Sequence, residues 1–254
     1  MSDSTAPVTA DLLDAAQELR TTVDSLKFAE PVAWVYNPLD YAWAGYEAYV
    51  RRFATGPRRT VFLGMNPGPF GMTQTGVPFG EIAAVRDWMG IEVPIAQPER
   101  THPKRPIQGF DCHRSEVSGR RLWRELFAER YPQADAFFAE HFVLNYCPLV
   151  FMTETGANYT PDKLKAAERA ELEIACQHHL IRTLTTLKPQ FIVGIGAYAR
   201  KQIDKVAGLL PLDQTPTLGQ IIHPAPASPI ANREWPVRPR QQLLDLGVWS
   251  VTSS

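Results

Sequence analysis

Thr60-Val-Phe-Leu-Gly-Met65 runs directly into Asn66-Pro67-Gly68-Pro69-Phe70-Gly71-Met72. The first half is a nearly continuous apolar run, the pattern of a strand covered on both faces of a parallel sheet. The second half packs prolines and glycines into a short space, so the strand must end in a stiff loop. Two more apolar runs repeat the pattern, HFVLNY at 141–146 and FIVGI at 191–195, and LGQII at 218–222 makes a fourth. Helical periodicity fills the intervals, at residues 12–26, 40–53, 81–89, 118–130, 161–187, 197–206 and 236–246. Thr160-Pro161 supplies a hydroxyl cap and a first-turn proline. Strands alternating with helices predict a three-layer α/β/α fold with a central, mostly parallel four-stranded sheet. Residues 94–114, rich in proline and bases, predict a long loop.

The composition narrows the classes. The chain has 254 residues, 44% of them apolar, which excludes a disordered polymer and supplies a sizeable core. No repeat or linker divides it, so one domain over 1–254 is expected, with about the first ten residues disordered. The longest apolar runs are too short to span a bilayer, so no membrane partner is expected. The opening MSDSTAPVTADLLDAA lacks the basic start and apolar stretch of a signal peptide. Cys112, Cys147 and Cys176 form no CxxC pair, which points to a reducing compartment without a zinc ribbon or an iron–sulfur cluster. The six histidines show no HExxH or HxH spacing, and no GxSxG elbow is present, so neither a metal nor a hydrolase triad is expected. The formal net charge of −1 hides a basic stretch at 100–124, where seven bases face two acids. Such a local face is what phosphate contact requires, although charge alone favours a set of solvated surface arginines.

Four positions stand where parallel sheets bind ligands, beyond the carboxyl ends of strands. Asn66 projects from the first stiff loop as a neutral donor and acceptor, unless it only braces its own turn. The loop is no P-loop, because GK[ST] is missing. Phe79, in Val77-Pro78-Phe79-Gly80, is either a stacking surface for a planar ligand or a core anchor. Asn145 ends a strand that is otherwise apolar; a buried amide either braces a turn or reads the carbonyl and N–H edge of a pyrimidine. His223 opens the second stiff loop, His223-Pro224-Ala225-Pro226-Ala227-Ser228-Pro229. Two stiff loops, each carrying one polar residue at a strand end, favour a site over coincidence.

Together GMNPGPFGMTQTGVPFGE (64–81), LNYCPL (144–149) and HPAPASP (223–229), with HPKRP (102–106) and SEVSG (115–119), resemble the single-strand-selective monofunctional branch of the uracil-DNA glycosylases. The resemblance runs from about residue 34 to 246 and implies the uracil-DNA glycosylase fold. It implies hydrolysis of the N-glycosidic bond of uracil, and of 5-modified uracils such as 5-hydroxymethyluracil, in single- and double-stranded DNA. By similarity Asn66 positions the attacking water and His223 stabilises the departing base at O2. Asn145 reads the uracil edge, Phe79 stacks on it, and main-chain groups at Met65 complete the pocket. Gly68 stands where bulkier side chains in related enzymes exclude 5-substituents. Pro224, Pro226, Ala227 and Ser228 form the loop that enters DNA. There the chain departs from the family: Ala227 replaces the usual arginine wedge and Ser228 an asparagine, with Arg233 further along as a partial substitute.

The implied chemistry needs a placed water and a stabiliser for the leaving base, not a cofactor or a metal. No lysine lies in the three motifs, so strand cleavage through an amine is not expected. The expected partner is DNA, the expected state a monomer, and the expected setting a bacterial-type cytoplasm, or a nucleus in a eukaryote. Two other readings remain at this stage: a related glycosylase of deaminated purines, and a non-catalytic binder of damaged or single-stranded DNA.

Overall fold

The computed structural model describes residues 5–250 apart from Leu212 and Gln214. Its centre is a four-stranded, all-parallel sheet built from β2 (Thr60–Gly64), β3 (His141–Asn145), β6 (Phe191–Ile195) and β7 (Thr217–Ile221), in the order β3-β2-β6-β7. Residues of β2 are all buried, which explains its unbroken apolar run. Chain connections leave β2 in both directions, to β3 on one side and β6 on the other, so the order reverses at β2. Such a reversal opens a crevice beyond the strand ends. The expected strands are therefore present, each within one residue of its expected bounds.

Helices cover both faces. Thr5–Asp24 packs along Ala166–Leu187, while Ala197–Ala207 packs on β6 and β7. An aromatic cluster of Phe62, Trp123, Phe127, Phe137 and Phe138 packs in the core, its rings mostly edge-on or tilted, with Phe62 and Phe137 stacked. Among the described residues no helix is long and apolar enough to cross a membrane.

Several expectations need correction. The first helix starts at Thr5, inside the stretch expected to be disordered. Val8 packs on the core and the Thr9 hydroxyl donates to the Ala54 carbonyl at 2.9 Å, anchoring it early; residues 1–4 lie outside the described residues. The helix expected from 161 begins as a separate turn, Pro161–Lys163, because Leu164 and Lys165 are extended before Ala166–Leu187. The 40–53 helix breaks at Ala42 into Pro38–Tyr41 and Trp43–Phe53. The 81–89 helix contracts to Ala84–Trp88, a π-type turn closed by Met89 N–H donating to the Ala84 carbonyl. The 118–130 helix starts at Val117 and is π-wound over Arg120–Phe127.

Three helices escaped the periodicity, Met72–Thr75, Ala134–Glu140 and Pro229–Glu234, all too short to show it. So did a second sheet of three antiparallel strands, β1 (Trp34–Tyr36), β4 (Val150–Met152) and β5 (Asn158–Tyr159), ordered β1-β4-β5. Strands of two or three residues cannot display alternation. The loop at 94–114 is irregular as expected, except for one turn at Gly109–Asp111.

Candidate active site

Strand pairing brings the first two polar residues together. Gly64 of β2 is in register with Asn145 of β3. Past the strand ends, Tyr146 N–H donates to the Gly64 carbonyl and Cys147 N–H to the Met65 carbonyl, both at 2.9 Å. The two chains therefore remain locked as they enter their loops. β7 is not a direct neighbour of β2, because β6 lies between. After β6 the chain turns at Gly196 (φ +89°) straight into the helix Ala197–Ala207. A Cβ at Gly196 would stand 3.0 Å from His223 Cβ, so the bare glycine lets the His223 loop close over this gap.

A cavity of ≈ 360 Å³ results. Met65, Asn66, Gly68, Phe79, Asn145, His223 and Ala227 are among the residues that line it. Asn66 and His223, 157 residues apart, thus face one space. A larger groove of ≈ 820 Å³ lies between Trp88 and Arg124 but touches no strand end and none of these polar groups. Chemistry, not volume, decides between them.

Hydrogen bonds fix how each polar group presents itself. Asn66 Nδ2 donates to the Leu149 carbonyl (3.0 Å) and the Pro67 carbonyl (3.3 Å). Both of its donors are engaged, and Oδ1 stays available as an acceptor. The Ala225 N–H donates to His223 Nδ1 at 3.1 Å. By that network the ring proton sits on Nε2, which makes the free edge a donor. Burial lowers the His223 pKa to about 4, so the ring is neutral at neutral pH. Asn145 Nδ2 donates to Met72 Sδ at 3.4 Å, while its Oδ1 is buried with no partner. A buried unpaired amide oxygen requires a donor, and Asn145 lines the cavity.

Phe79 is the core anchor its sequence allowed, and it also lines the cavity. Its ring lies 6.3 Å from the His223 ring. A Cβ on Gly64 would lie 2.5 Å from that ring, so glycine at the end of β2 makes room for it. Phe79 is also one of two non-glycine residues with positive φ (+52°) among the described residues. The Trp123 indole donates to the Pro78 carbonyl and Glu81 N–H to the Phe79 carbonyl, holding this unfavourable backbone.

The two loops are braced differently. Gln74, 1% exposed, uses all of its amide: Nε2 donates to the Pro69 and Pro106 carbonyls, and Oε1 accepts from Gln108 and Gly109 N–H. Thr73 adds a hydroxyl donated to the Gly68 carbonyl. On the other side Arg121 donates to the Pro224 carbonyl (3.1 Å) and to Asn232 Oδ1 (2.9 Å), and Asn232 Nδ2 donates to the Pro226 carbonyl (2.9 Å).

Not every expected residue reaches the cavity. Pro224 is buried behind the loop, and Pro226 is exposed at its tip beside Ala227. Ser228 caps the helix Pro229–Glu234, its hydroxyl accepting from Ala231 N–H at 3.3 Å. Arg233 sits exposed in the last turn of that helix, outside the cavity wall. Arg105 and Arg114 both lie over the Phe70 ring, at 5.5 and 4.5 Å from its centre.

Sequence reading missed Gln74, Arg121, Asn232 and, above all, Glu116, whose carboxyl faces the cavity beside Gly68. The available signal was the crowding of Gly68, Gly71 and Gly119 around one acidic residue, but only the folded chain shows that they converge.

The chain is similar to known proteins of one family. Residues 53–244 match the model of the uracil DNA glycosylase superfamily. The mouse protein named single-strand selective monofunctional uracil DNA glycosylase is 44% identical over 237 residues, covering 93% of this chain and 84% of that protein. The bovine protein of the same name is 42% identical over 241 residues, covering 94% and 87%. The crystal structure of SMUG2 from Pedobacter heparinus superposes with a TM-score of 0.59 at 17% identity, covering 92% and 94% of the two chains.

Proposed function

The chain belongs to the uracil-DNA glycosylase superfamily and is an enzyme of that class, a monofunctional uracil-DNA glycosylase; from this premise we propose how its residues divide the work and which bases they admit. The observation that carries the proposal is the convergence of Asn66, Phe79, Asn145 and His223 on one cavity.

Cleaving the N-glycosidic bond leaves positive charge on the sugar and negative charge on the base, so rate follows from stabilising both. The base leaves the stack and enters the cavity, where the Phe79 ring packs on its face. Its N3–H donates to the unpaired Asn145 Oδ1, and its O4 meets the Asn145 amide N–H. Opposite, the His223 Nε2–H donates to O2 as charge develops there. A neutral ring suits that task, because donation then requires no change of protonation state. The free Oδ1 of Asn66 accepts from a water and holds it for the sugar C1′. An amide cannot remove a proton, so Asn66 orients the water and leaving-group departure does most of the work.

Single-stranded DNA is the favoured form of the substrate. An alanine at 227 leaves no side chain to fill the space of an extruded base in a duplex, while a single strand has little stacking to overcome. Uracil and 5-hydroxymethyluracil are the proposed bases, in both strand forms, with paired substrates slower. Arg105, Arg114 and Phe70 offer phosphate contact and a stacking face.

The test is release of free base from labelled single- and double-stranded oligonucleotides carrying uracil, 5-hydroxymethyluracil, hypoxanthine or xanthine, with and without chelator. Chelator-resistant release of the two uracils, with intact strands, is expected. Release of the purines in preference to uracil would overturn the assignment.

A further inference from the structure

Going round a bound uracil from O2, the edges follow as N3–H, O4 and C5. With His223 at O2 and Asn145 at N3 and O4, as proposed above, C5 points onward past Asn145. The contacts in that direction are continuous. Asn145 Nδ2 rests on Met72 Sδ; Met72 follows Gly71; and a Cβ on Gly71 would fall within 2.1 Å of Glu116 Oε2. A Cβ on Gly68 would stand 2.7 Å from Glu116 Oε1, and one on Gly119 2.8 Å from Oε2. Three bare glycines thus cradle one carboxyl at the wall that C5 would face. Glu116 Oε2 is buried and has no hydrogen-bond partner.

We propose that Glu116 is the specificity residue that reads substituents at C5 of the base, admitting polar groups that hydrogen-bond its carboxyl and turning away apolar ones. The proposal rests on the uracil reading of this cavity. A 5-methyl group would press hydrocarbon against the carboxyl on its Gly68 side, a polar group it cannot pair with, which discriminates strongly between otherwise similar ligands. A 5-hydroxymethyl group supplies both a donor and an acceptor.

Burial, reinforced by the nearby Glu81 charge, raises Glu116 to about 7, with the neighbouring Gly119 N–H acting the other way. Glu81 itself accepts from the Ser115 hydroxyl and Ala84 N–H. The guanidiniums flanking this segment are turned elsewhere, Arg114 over Phe70 and Arg120 toward Glu125. His223, across the cavity, is neutral through this range. Glu116 therefore changes from acid to carboxylate near neutral pH, and its hydrogen-bonding repertoire changes with it. The acid donates and accepts; the carboxylate only accepts.

A pair of substrates separates these states. A 5-formyl group can only accept, so it needs the acid form, whereas 5-hydroxymethyl can pair with either. In the wild-type protein, kcat/KM for 5-formyluracil relative to 5-hydroxymethyluracil in single-stranded DNA should fall on the order of tenfold from pH 6 to pH 8. In Glu116→Gln, whose amide donates at every pH and keeps the size of the side chain, that ratio should hold level. In Glu116→Leu, kcat/KM for 5-hydroxymethyluracil relative to uracil should drop about tenfold. A level wild-type ratio overturns the proposal, as does a slope unchanged in Glu116→Gln, which would assign it to ionisation of the bases. Equal losses on uracil and 5-hydroxymethyluracil in Glu116→Leu would make Glu116 a brace and overturn it too. A wild-type protein that releases no uracil at any pH instead overturns the functional reading.

Discussion

The two stiff loops that close the cavity look alike in composition and are held by opposite means. The loop after β2 is pinned from inside by Gln74, a buried amide with all its hydrogen-bonding capacity used. The loop after β7 hangs from outside, on the half-buried guanidinium of Arg121 and the exposed amide of Asn232. Their charge behaviour is opposite as well: the Glu116 side turns negative as pH rises past about 7, the His223 side positive as pH falls past about 4. One loop is held from within the core; the other is held by contacts at the surface.

The largest expected effect removes the working group of each loop. Asn66→Ala and His223→Ala should each lower kcat by roughly 10²–10³ on single-stranded uracil, the scale of losing one placed polar group in a dry site. Neither should shift the melting temperature by more than a few degrees. Equal activity of either variant and wild type would remove that loop from the mechanism.

Stability should then separate the braces. Gln74→Leu leaves two carbonyls and two N–H groups without partners, which should cost ~3 kcal/mol or more in urea unfolding. Arg121→Ala should cost ~1 kcal/mol, since water can replace it, while lowering kcat about tenfold as the His223 loop loosens. Similar unfolding midpoints for the two variants would end the distinction between an internal and an external brace.

The pH responses have signs that follow from linkage. His223 has its folded pKa depressed, so unfolded chains bind more protons between pH 6.5 and about 4, and stability is lost as pH falls through that window. His141, lowered to about 3 by burial and the Arg59 and Arg130 charges, and His179, lowered to about 4 by burial and the Arg182 and His178 charges, act in the same direction. Glu116 is a raised acid, so its contribution is present below 4.5 and lost as pH rises through about 7. Glu116→Gln should therefore gain on the order of 2 kcal/mol over wild type at pH 8 and nothing comparable at pH 4.5. Unfolding curves at the two pH values give the answer directly; a larger gain at the acid end would reverse the assignment.

The smallest effect concerns the outer tip. Ala227→Arg should raise release of paired uracil a few-fold more than release from single strands, and steepen the salt dependence by about one phosphate contact. The same factor on both strand forms would mean that the tip does not enter the duplex.

The difference between the loops also explains what could be read beforehand. β2, β3 and β6 announced themselves because both faces of their sheet are covered, leaving almost unbroken apolar runs. Asn66, Asn145 and His223 were legible as polar residues interrupting such runs at strand ends. The strands of the small antiparallel sheet were not, since pieces such as Asn158–Tyr159 carry no pattern. Arg121 and Asn232 looked like ordinary surface residues, because nothing local marks a side chain that reaches across to a distant loop. Glu116 was hidden within a stretch that resembled the family without an assigned task.

The order of strands in the sheet has a temporal meaning. β2 and β3 pair first along the chain, so the Asn66 and Asn145 half of the cavity needs only residues up to about 150. His223 arrives at the end of β7, which is the edge strand and pairs only with β6. Parallel pairing over such separations closes slowly, because long loops must be ordered before their contacts are gained. A chain in which β7 has not docked therefore lacks the His223 wall of the cavity. The cavity is complete only when the last strand has docked.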